Sequence, residues 1–379
     1  MKSLFEKFEM LEDPRDIRGK RHNLIDILIM TIYGILCGYT DFVNIADFLK
    51  LKEDYFNSLL NLKYGTPSHD CLSRVFAIID PQKFMKLFIE WVKEIVGENE
   101  DLIAIDGKAI KSATQKVNNG NIPYIISAFL TDIGISIGQI KIEDKSNEIT
   151  TIPDLLDLID IKNKVVTIDA IGTQEKIVNK IVENKGNYVL NAKNNQQTLK
   201  DDIKTFFELE DKGNNLDIAF YETDFEKNHG RIEKRKYYLT YNIECISDKE
   251  KWKTVKSIGK IEVYREENGK VTNTEHYYIL SSKMSMEMFE KATRSHWNIE
   301  TQLHWRLDVF LDEDHRTNKI GNSIDNFATI RKIVFNLIRF NTLMGEKLTM
   351  KKKMTRYMFD FKNIENLIFK VIPKLEVKV

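Results

Sequence analysis

Two short runs constrain this chain more than any other feature: Leu102-Ile-Ala-Ile and Val165-Val-Thr-Ile, each ended by an aspartate, Asp106 and Asp169. A short continuous apolar run closed by a polar residue reads as a strand buried on both faces, and such strands belong to α/β sheets covered by helices. Small residues follow each acid, Gly107 after the first and Ala170 with Gly172 after the second. The backbone can therefore turn away and leave each carboxylate at the C-terminal edge of its strand, the edge at which open α/β sheets bind ligands. An aspartate in that position also serves simply to hydrogen-bond a turn or cap the next helix, and either acid alone fits that role.

The surrounding pattern extends the α/β assignment. Tyr124–Leu130, Ile135–Ile142 and Tyr188–Leu190 read as further strands, with Gly134 in the turn between the first two. Helical periodicity covers 152–158, 174–183 and 196–208, which together with the strands indicates a mixed sheet. Residues 1–97 read almost entirely helical and form an all-α N-terminal domain, with Ser68 and Asp80-Pro81 placed to start two of its helices. Such a cluster of short helices suits a DNA-binding bundle, and equally a plain packing domain. An α/β domain is expected over 98–379, with a β-rich insertion at about 209–285. Its strands fall at Tyr237–Ile243, Ile258–Tyr264 and His276–Leu280, and Glu267-Asn268-Gly269 makes a hairpin turn between the last two. Helices resume at Met286 and continue to the end.

The overall charge neither announces nor excludes a nucleic-acid partner, because 57 basic residues balance 57 acidic ones, so its distribution matters instead. Residues 200–226 hold nine acids against three lysines, 227–236 turns basic, and the helical end at about 339–379 holds ten Lys/Arg against four Asp/Glu. Three scattered cysteines, Cys37, Cys71 and Cys245, fit a reducing compartment and support neither a disulfide framework nor a zinc knuckle. The longest apolar stretch, Leu24 to Cys37, falls short of the roughly 20 residues of a membrane span and is expected to be a buried helix. No export signal opens the chain, so a cytoplasmic protein with no membrane partner is expected.

A third acid-bearing segment runs from Arg294 to Asp308. Ile299, Leu303, Leu307 and Phe310 form its apolar stripe, and His296, Glu300, His304 and Asp308 recur at four-residue steps beside it. Trp297 and Trp305 argue against full exposure, although a surface set of ionic pairs has the same spacing. Two strand-end carboxylates and one helix carboxylate brought together would repel one another, and a divalent cation removes the conflict. Oxygen donors suit Mg²⁺ or Mn²⁺, and two such ions about 3.5–4 Å apart can hold the attacking and leaving oxygens of a phosphodiester. A metal hydrolase built on His296 and His304 is disfavoured, since their eight-residue separation exceeds two helical turns. No nucleophile-elbow, Walker, dinucleotide or His-Glu-x-x-His motif competes.

In order along nearly the whole chain, the sequence carries Asp13-Pro14-Arg15, Lys20-Arg21-His22, Thr66-Pro67-Ser68-His69, Ala104-Ile105-Asp106-Gly107-Lys108 and Lys145-Ser146-Asn147-Glu148. It continues with Thr167-Ile168-Asp169-Ala170, Gly172-Thr173-Gln174, Lys193-Asn194-Asn195-Gln196 and His229-Gly230-Arg231-Ile232-Glu233 with Arg235. It ends with His296-Trp297-Asn298-Ile299-Glu300, Leu303-His304-Trp305, Leu307-Asp308 and Glu313-Asp314. With these motifs the chain resembles the DDE transposases of bacterial insertion sequences, in the H-repeat-associated branch. The resemblance implies a ribonuclease-H-like catalytic core in which Asp106, Asp169 and Glu300 are the catalytic, metal-holding acids, with Glu313 and Asp314 as rivals for the third place. It implies two Mg²⁺ ions, replaceable by Mn²⁺, double-stranded DNA as partner, a homodimer in a synaptic complex, and a nucleoid-associated protein. Lys193, Arg231, Arg235 and His296 are the candidate DNA contacts. Related helix motifs carry an Arg ahead of the glutamate and a Lys beyond it; here His296 and Leu307 stand near those places. The rival function is a DNA-binding protein descended from a transposase with a silent site.

Overall fold

The computed structural model describes residues 2–16, 18, 20–96, 102–110, 123–143, 145–210, 217–228, 230–314 and 320–374. His229 of the His-Gly-Arg motif lies outside the described residues. In chain order the elements are α1 (Leu4–Phe8), α2 (Leu24–Leu36), α3 (Phe42–Leu51), α4 (Glu53–Leu60), α5 (His69–Ile78), α6 (Pro81–Ile95), β1 (Leu102–Ala109), β2 (Tyr124–Leu130), β3 (Ile135–Ile142), α7 (Glu148–Leu158), β4 (Val165–Ile168), α8 (Glu175–Glu183), β5 (Asn187–Ala192) and α9 (Gln197–Glu210). There follow β6 (Ala219–Glu222), β7 (Glu226–Asn228), β8 (Arg231–Thr240), β9 (Ser257–Glu267), β10 (Lys270–Leu280), α10 (Met286–Ser295), a π-helical turn (Ile299–His304), α11 (Trp305–Leu311), α12 (Ser323–Leu343), α13 (Met350–Phe359) and α14 (Lys362–Phe369). This is a mixed α/β chain with a mostly helical N-terminal region. It folds as two compact units: Met1–Asn99 with Gly107–Glu148 and Glu300–Val379, and Glu100–Asp106 with Ile149–Ile299.

The first unit is mainly helical. Asn23 caps α2 by accepting the Ile25 N–H at 3.2 Å, and eleven of the thirteen residues of α2 are buried, which accounts for an apolar run interrupted by little besides Asp26 and Thr31. No helix in the described residues is long and apolar enough to cross a membrane. Ser68 and Asp80 cap α5 and α6 as the sequence leads one to expect, the latter with Pro81 at the first helical position. Along α12, Asn326 donates to the carbonyls of Phe76 and Ile79, and Asn336 exchanges two hydrogen bonds with the backbone of Ser136 on β3. Buried amides thus tie this helix both to α5 and to the antiparallel β2–β3 hairpin.

In the second unit the sheet runs β1-β4-β5-β10-β9-β8-β6, with β7 on β8. β1, β4 and β5 are parallel, and β10 onward is antiparallel. Tyr237, Leu239, Ile261, Leu280, Phe289 and Ala292 pack into one buried cluster with Leu102, Val165 and Val189. Asn268 and Gly269 both take positive φ, 50° and 74°, and join β9 to β10 as the two-residue hairpin read from the sequence. Two expectations need correction. The strand placed at Tyr237–Ile243 begins six residues earlier, at Arg231, and stops at Thr240. The acidic stretch also contributes a short strand, β6, and a second, β7, begins at its last residue, neither expected from the charged composition.

Candidate active site

β1 and β4 lie side by side in parallel, Leu102 opposite Val165 and Ile105 opposite Ile168, so Asp106 and Asp169 occupy the next matched position on neighbouring strands. Adjacent strands are about 4.8 Å apart, which sets the two carboxylate-bearing residues next to each other at one edge of the sheet. β1 itself runs past Asp106 to Ala109 rather than ending at the acid. After Asp169 the chain does turn. The Asp169 carboxylate accepts the Ile171 N–H at 3.0 Å and caps the tight turn Ala170–Gly172. The modest capping role and a place at the strand edge therefore coexist in one side chain, which remains exposed.

The loop after Asp169 is braced by the Lys193–Gln196 motif. Asn195 donates to the Ala170 carbonyl at 2.7 Å, Gln196 to the Thr173 carbonyl at 3.0 Å, and the Thr173 hydroxyl to the Asn191 carbonyl at 2.7 Å. Between this loop and β10 opens a cleft of about 450 Å³ whose wall includes Ala170, Asn191, Lys193, Lys200 and His276. Burial lowers the proton affinity of His276, and the nearby cations Lys193, Arg235 and Arg265 lower it further, while Glu275 also lines the cleft.

His296 reaches back to β4, its Nδ1 lying 3.1 Å from the Thr167 hydroxyl. That hydroxyl also reaches the Ile103 carbonyl of β1 at 3.4 Å, and donating there leaves it to accept from Nδ1. Burial holds His296 below the ordinary histidine pKa, with Asp169 opposing and Lys193 assisting. His296 therefore stands beside Asp169 with one ring nitrogen committed to the protein. Arg231 and Arg235 gather around the buried Glu233, which also accepts from Arg265 Nε at 2.7 Å. Glu226 takes a bidentate pair from Arg294 at 2.7 and 2.8 Å and lies 3.7 Å from Arg235. Four guanidiniums thus share two carboxylates.

Glu300 belongs to the first unit, exposed at the second position of the π-helical turn. The wider turn breaks the four-residue spacing assumed from sequence. His304 faces inward, where burial pushes its pKa down to about 3, while Asp308 is half-buried and Glu300 exposed. The two tryptophans are exposed as well, Trp297 by 63% and Trp305 by 53%, contrary to the shielding expected of them. Glu313 and Asp314 surround Lys108 at 3.0 and 3.5 Å, with Asp308 in contact with the same ammonium. Burial works to lower the pKa of Lys108, yet Glu313, Asp308 and Asp314 together raise it. Nothing local in the sequence signals this cluster, since its partners lie 200 or more residues apart. Glu148 stands in the Lys145–Glu148 motif, but its place does not follow from the sequence: a Cβ added at Gly107 would crowd its carboxylate, so glycine there leaves room for that side chain beside the strand.

As donors to a cation, Asp106 and Asp169 offer two hard oxygen groups from adjacent strands, the chemistry that suits Mg²⁺ or Mn²⁺. Among the described residues no three His, Cys, Asp or Glu side chains converge to hold an ion.

Comparison with known proteins decides the family. Residues 98–337 match the model described as "Transposase DDE domain", and 5–92 match that described as "DDE_Tnp_1-associated". The chain belongs to the DDE transposase family, in its H-repeat-associated branch. It is 35% identical over 367 residues to "Putative protein YbfL" of Escherichia coli K12, covering 95% of this chain and 96% of that one. It is 34% identical over the same length to the "H repeat-associated putative transposase YhhI" of that strain, with the same coverage. To "Putative transposase YncI" of E. coli O157:H7 it is 34% identical over 344 residues, covering 89% of this chain and 88% of the relative. Membership supports a transposase role and, with it, DNA binding.

Proposed function

We propose that this DDE-family chain is the transposase of a bacterial insertion sequence and that it cleaves DNA at the element ends and joins them to target DNA. The observation that carries this reading is the matched placement of Asp106 and Asp169, each one residue past the paired stretch of two adjacent parallel strands. Asp106, Asp169 and Glu300 are the residues that would hold two Mg²⁺ ions, or Mn²⁺ in their place, which neutralise the charge that develops during phosphoryl transfer. Glu313 and Asp314 are the weaker candidates for the third acid, because Lys108 already engages both.

In the first step water attacks phosphorus at the element end and the bond to the 3′-oxygen breaks, leaving a 3′-hydroxyl and a 5′-phosphate. In the second, that hydroxyl attacks a target phosphodiester, forms the new bond and expels the target's own 3′-oxygen. The chain's task in both is to position the reacting groups and to lower the electrostatic cost. Lys193 in the cleft beside Asp169, and the Arg231 and Arg235 cluster, are suited to contact phosphates. His296 has one nitrogen engaged by Thr167, which favours a role in holding the site over one on DNA. Residues 1–97 form the proposed DNA-binding domain, and 98–379 a ribonuclease-H-like catalytic domain with its insertion at about 209–285. The working form is a homodimer in a synaptic complex on the nucleoid, in the cytoplasm.

The test is cleavage of supercoiled plasmid carrying the ends of the encoding element, in Mg²⁺. The wild type is expected to nick at the ends, and Asp106→Ala, Asp169→Ala and Glu300→Ala to bind the ends without cutting. Binding with no nick under any divalent metal would instead favour a DNA-binding descendant with a silent site.

A further inference from the structure

Lys108 follows Asp106 by two positions on β1, and residues i and i+2 of a strand project from one face. Its ammonium is largely buried and touches three carboxylates, Asp308, Glu313 at 3.0 Å and Asp314 at 3.5 Å. Asp308 sits on α11, the helix that continues directly from the turn carrying Glu300, while Glu313 and Asp314 follow its end. That end is fixed independently. Asp312 takes a left-handed φ of 49°, the Glu313 N–H donates to the Leu307 carbonyl at 3.1 Å, and buried Arg331 donates Nε to the Leu311 carbonyl at 3.1 Å.

A buried ionic cluster is a poor device for stability alone, because well-packed apolar residues of similar volume do as well or better. What it adds is direction. One ammonium held by carboxylates on the helix and beyond its end resists both rotation and sliding of α11, which an apolar contact would permit. π-turns such as the one bearing Glu300 also concentrate at functional sites.

We propose that Lys108 is a positioning residue, fixing the helix that continues from Glu300 against the end of the strand that carries Asp106. The inference rests on the proposed metal-holding role of Asp106 and Glu300. Lys108 itself touches neither metal nor DNA.

The experiment uses the full chain with Mn²⁺ alone as probe, its binding followed by the loss of the free-ion paramagnetic resonance signal, alongside plasmid cleavage and thermal melting. Lys108→Met is expected to weaken Mn²⁺ binding by about tenfold or more, the scale seen when groups supporting metal ligands are removed, and to slow cleavage. Affinity for the DNA ends stays unchanged, and Lys108→Arg recovers most of the Mn²⁺ affinity. If Lys108→Met fails to fold, Asp308→Asn carries the test, with a smaller loss in the same direction. A variant with a lowered melting temperature but wild-type Mn²⁺ affinity and cleavage would make Lys108 purely structural and overturn the proposal. Asp106→Ala keeps the two readings apart: if it binds Mn²⁺ like the wild type, the metal-holding role itself fails.

Discussion

Lys332 offers a sharp test of how the charged interior of the first unit is balanced. The residue is 1% exposed on α12, donates to the Gln139 amide oxygen, and has Glu313 and Lys108 in its neighbourhood. Burial depresses its pKa from 10.5 to about 8, with Glu313 opposing and Lys108 reinforcing the fall. The unfolded chain therefore binds the proton more tightly, so Lys332 costs stability below pH 8 and that cost disappears as pH rises through 10.5. With these values the cost is about 3 kcal/mol at pH 7 and falls by about 2 kcal/mol at pH 9.5. The perturbation is Lys332→Met, which keeps the volume and removes the charge while leaving the Gln139 oxygen without its donor. At pH 7 these changes oppose each other, so the difference between pH values is the diagnostic. Urea unfolding at pH 7 and pH 9.5 should show the wild type gaining about 2 kcal/mol relative to the variant. A difference that stays flat, or that moves against the wild type, would refute the buried, depressed lysine.

Three further outcomes follow from single contacts. Thr167→Val removes the hydrogen-bond partner of His296 Nδ1 and should cost about 1–2 kcal/mol, whereas Thr167→Ser should cost far less; equal unfolding midpoints for both would contradict the bond. Gly259→Ala would place a Cβ 2.5 Å from the Phe289 ring and should destabilise by about 1–3 kcal/mol in urea unfolding, with Phe289→Leu relieving much of the loss. Lys193→Ala should weaken binding to all DNA sequences alike and reduce the slope of log affinity against log salt by about one; an unchanged slope would remove Lys193 from the phosphate contacts.

Much of the second unit was legible because its signals are local. The buried runs before Asp106 and Asp169 marked two strands, Asn268-Gly269 marked a hairpin, and Ser68 and Asp80 marked helix starts in the first unit. β8 was partly hidden because its first six residues are five charged groups around one isoleucine. They are stabilised by partners on other strands, such as Arg265 on β9, which no periodicity shows. β1 continued beyond the acid for a related reason: Lys108 is polar in sequence yet finds its counter-charges about 200 residues away.

The Glu300 segment differs from the sequence expectation in its geometry rather than its position. Four-residue steps suit an α-helix, but the π-turn advances the chain differently and separates an exposed Glu300 from an inward His304. The roles of Arg231 and Arg235 were likewise open in sequence because a basic run does not reveal its own neutralising groups, Glu233 and Glu226.

The central claim is that Asp106 and Asp169 act as a metal-holding pair on DNA, and exchanging oxygen for sulfur tests it most directly. Mg²⁺ prefers hard oxygen donors and accepts a thiolate poorly, whereas Mn²⁺ is more tolerant. Asp106→Cys and Asp169→Cys should each abolish plasmid cleavage in Mg²⁺ and regain part of it in Mn²⁺. Full cleavage by either variant in Mg²⁺ would contradict the account.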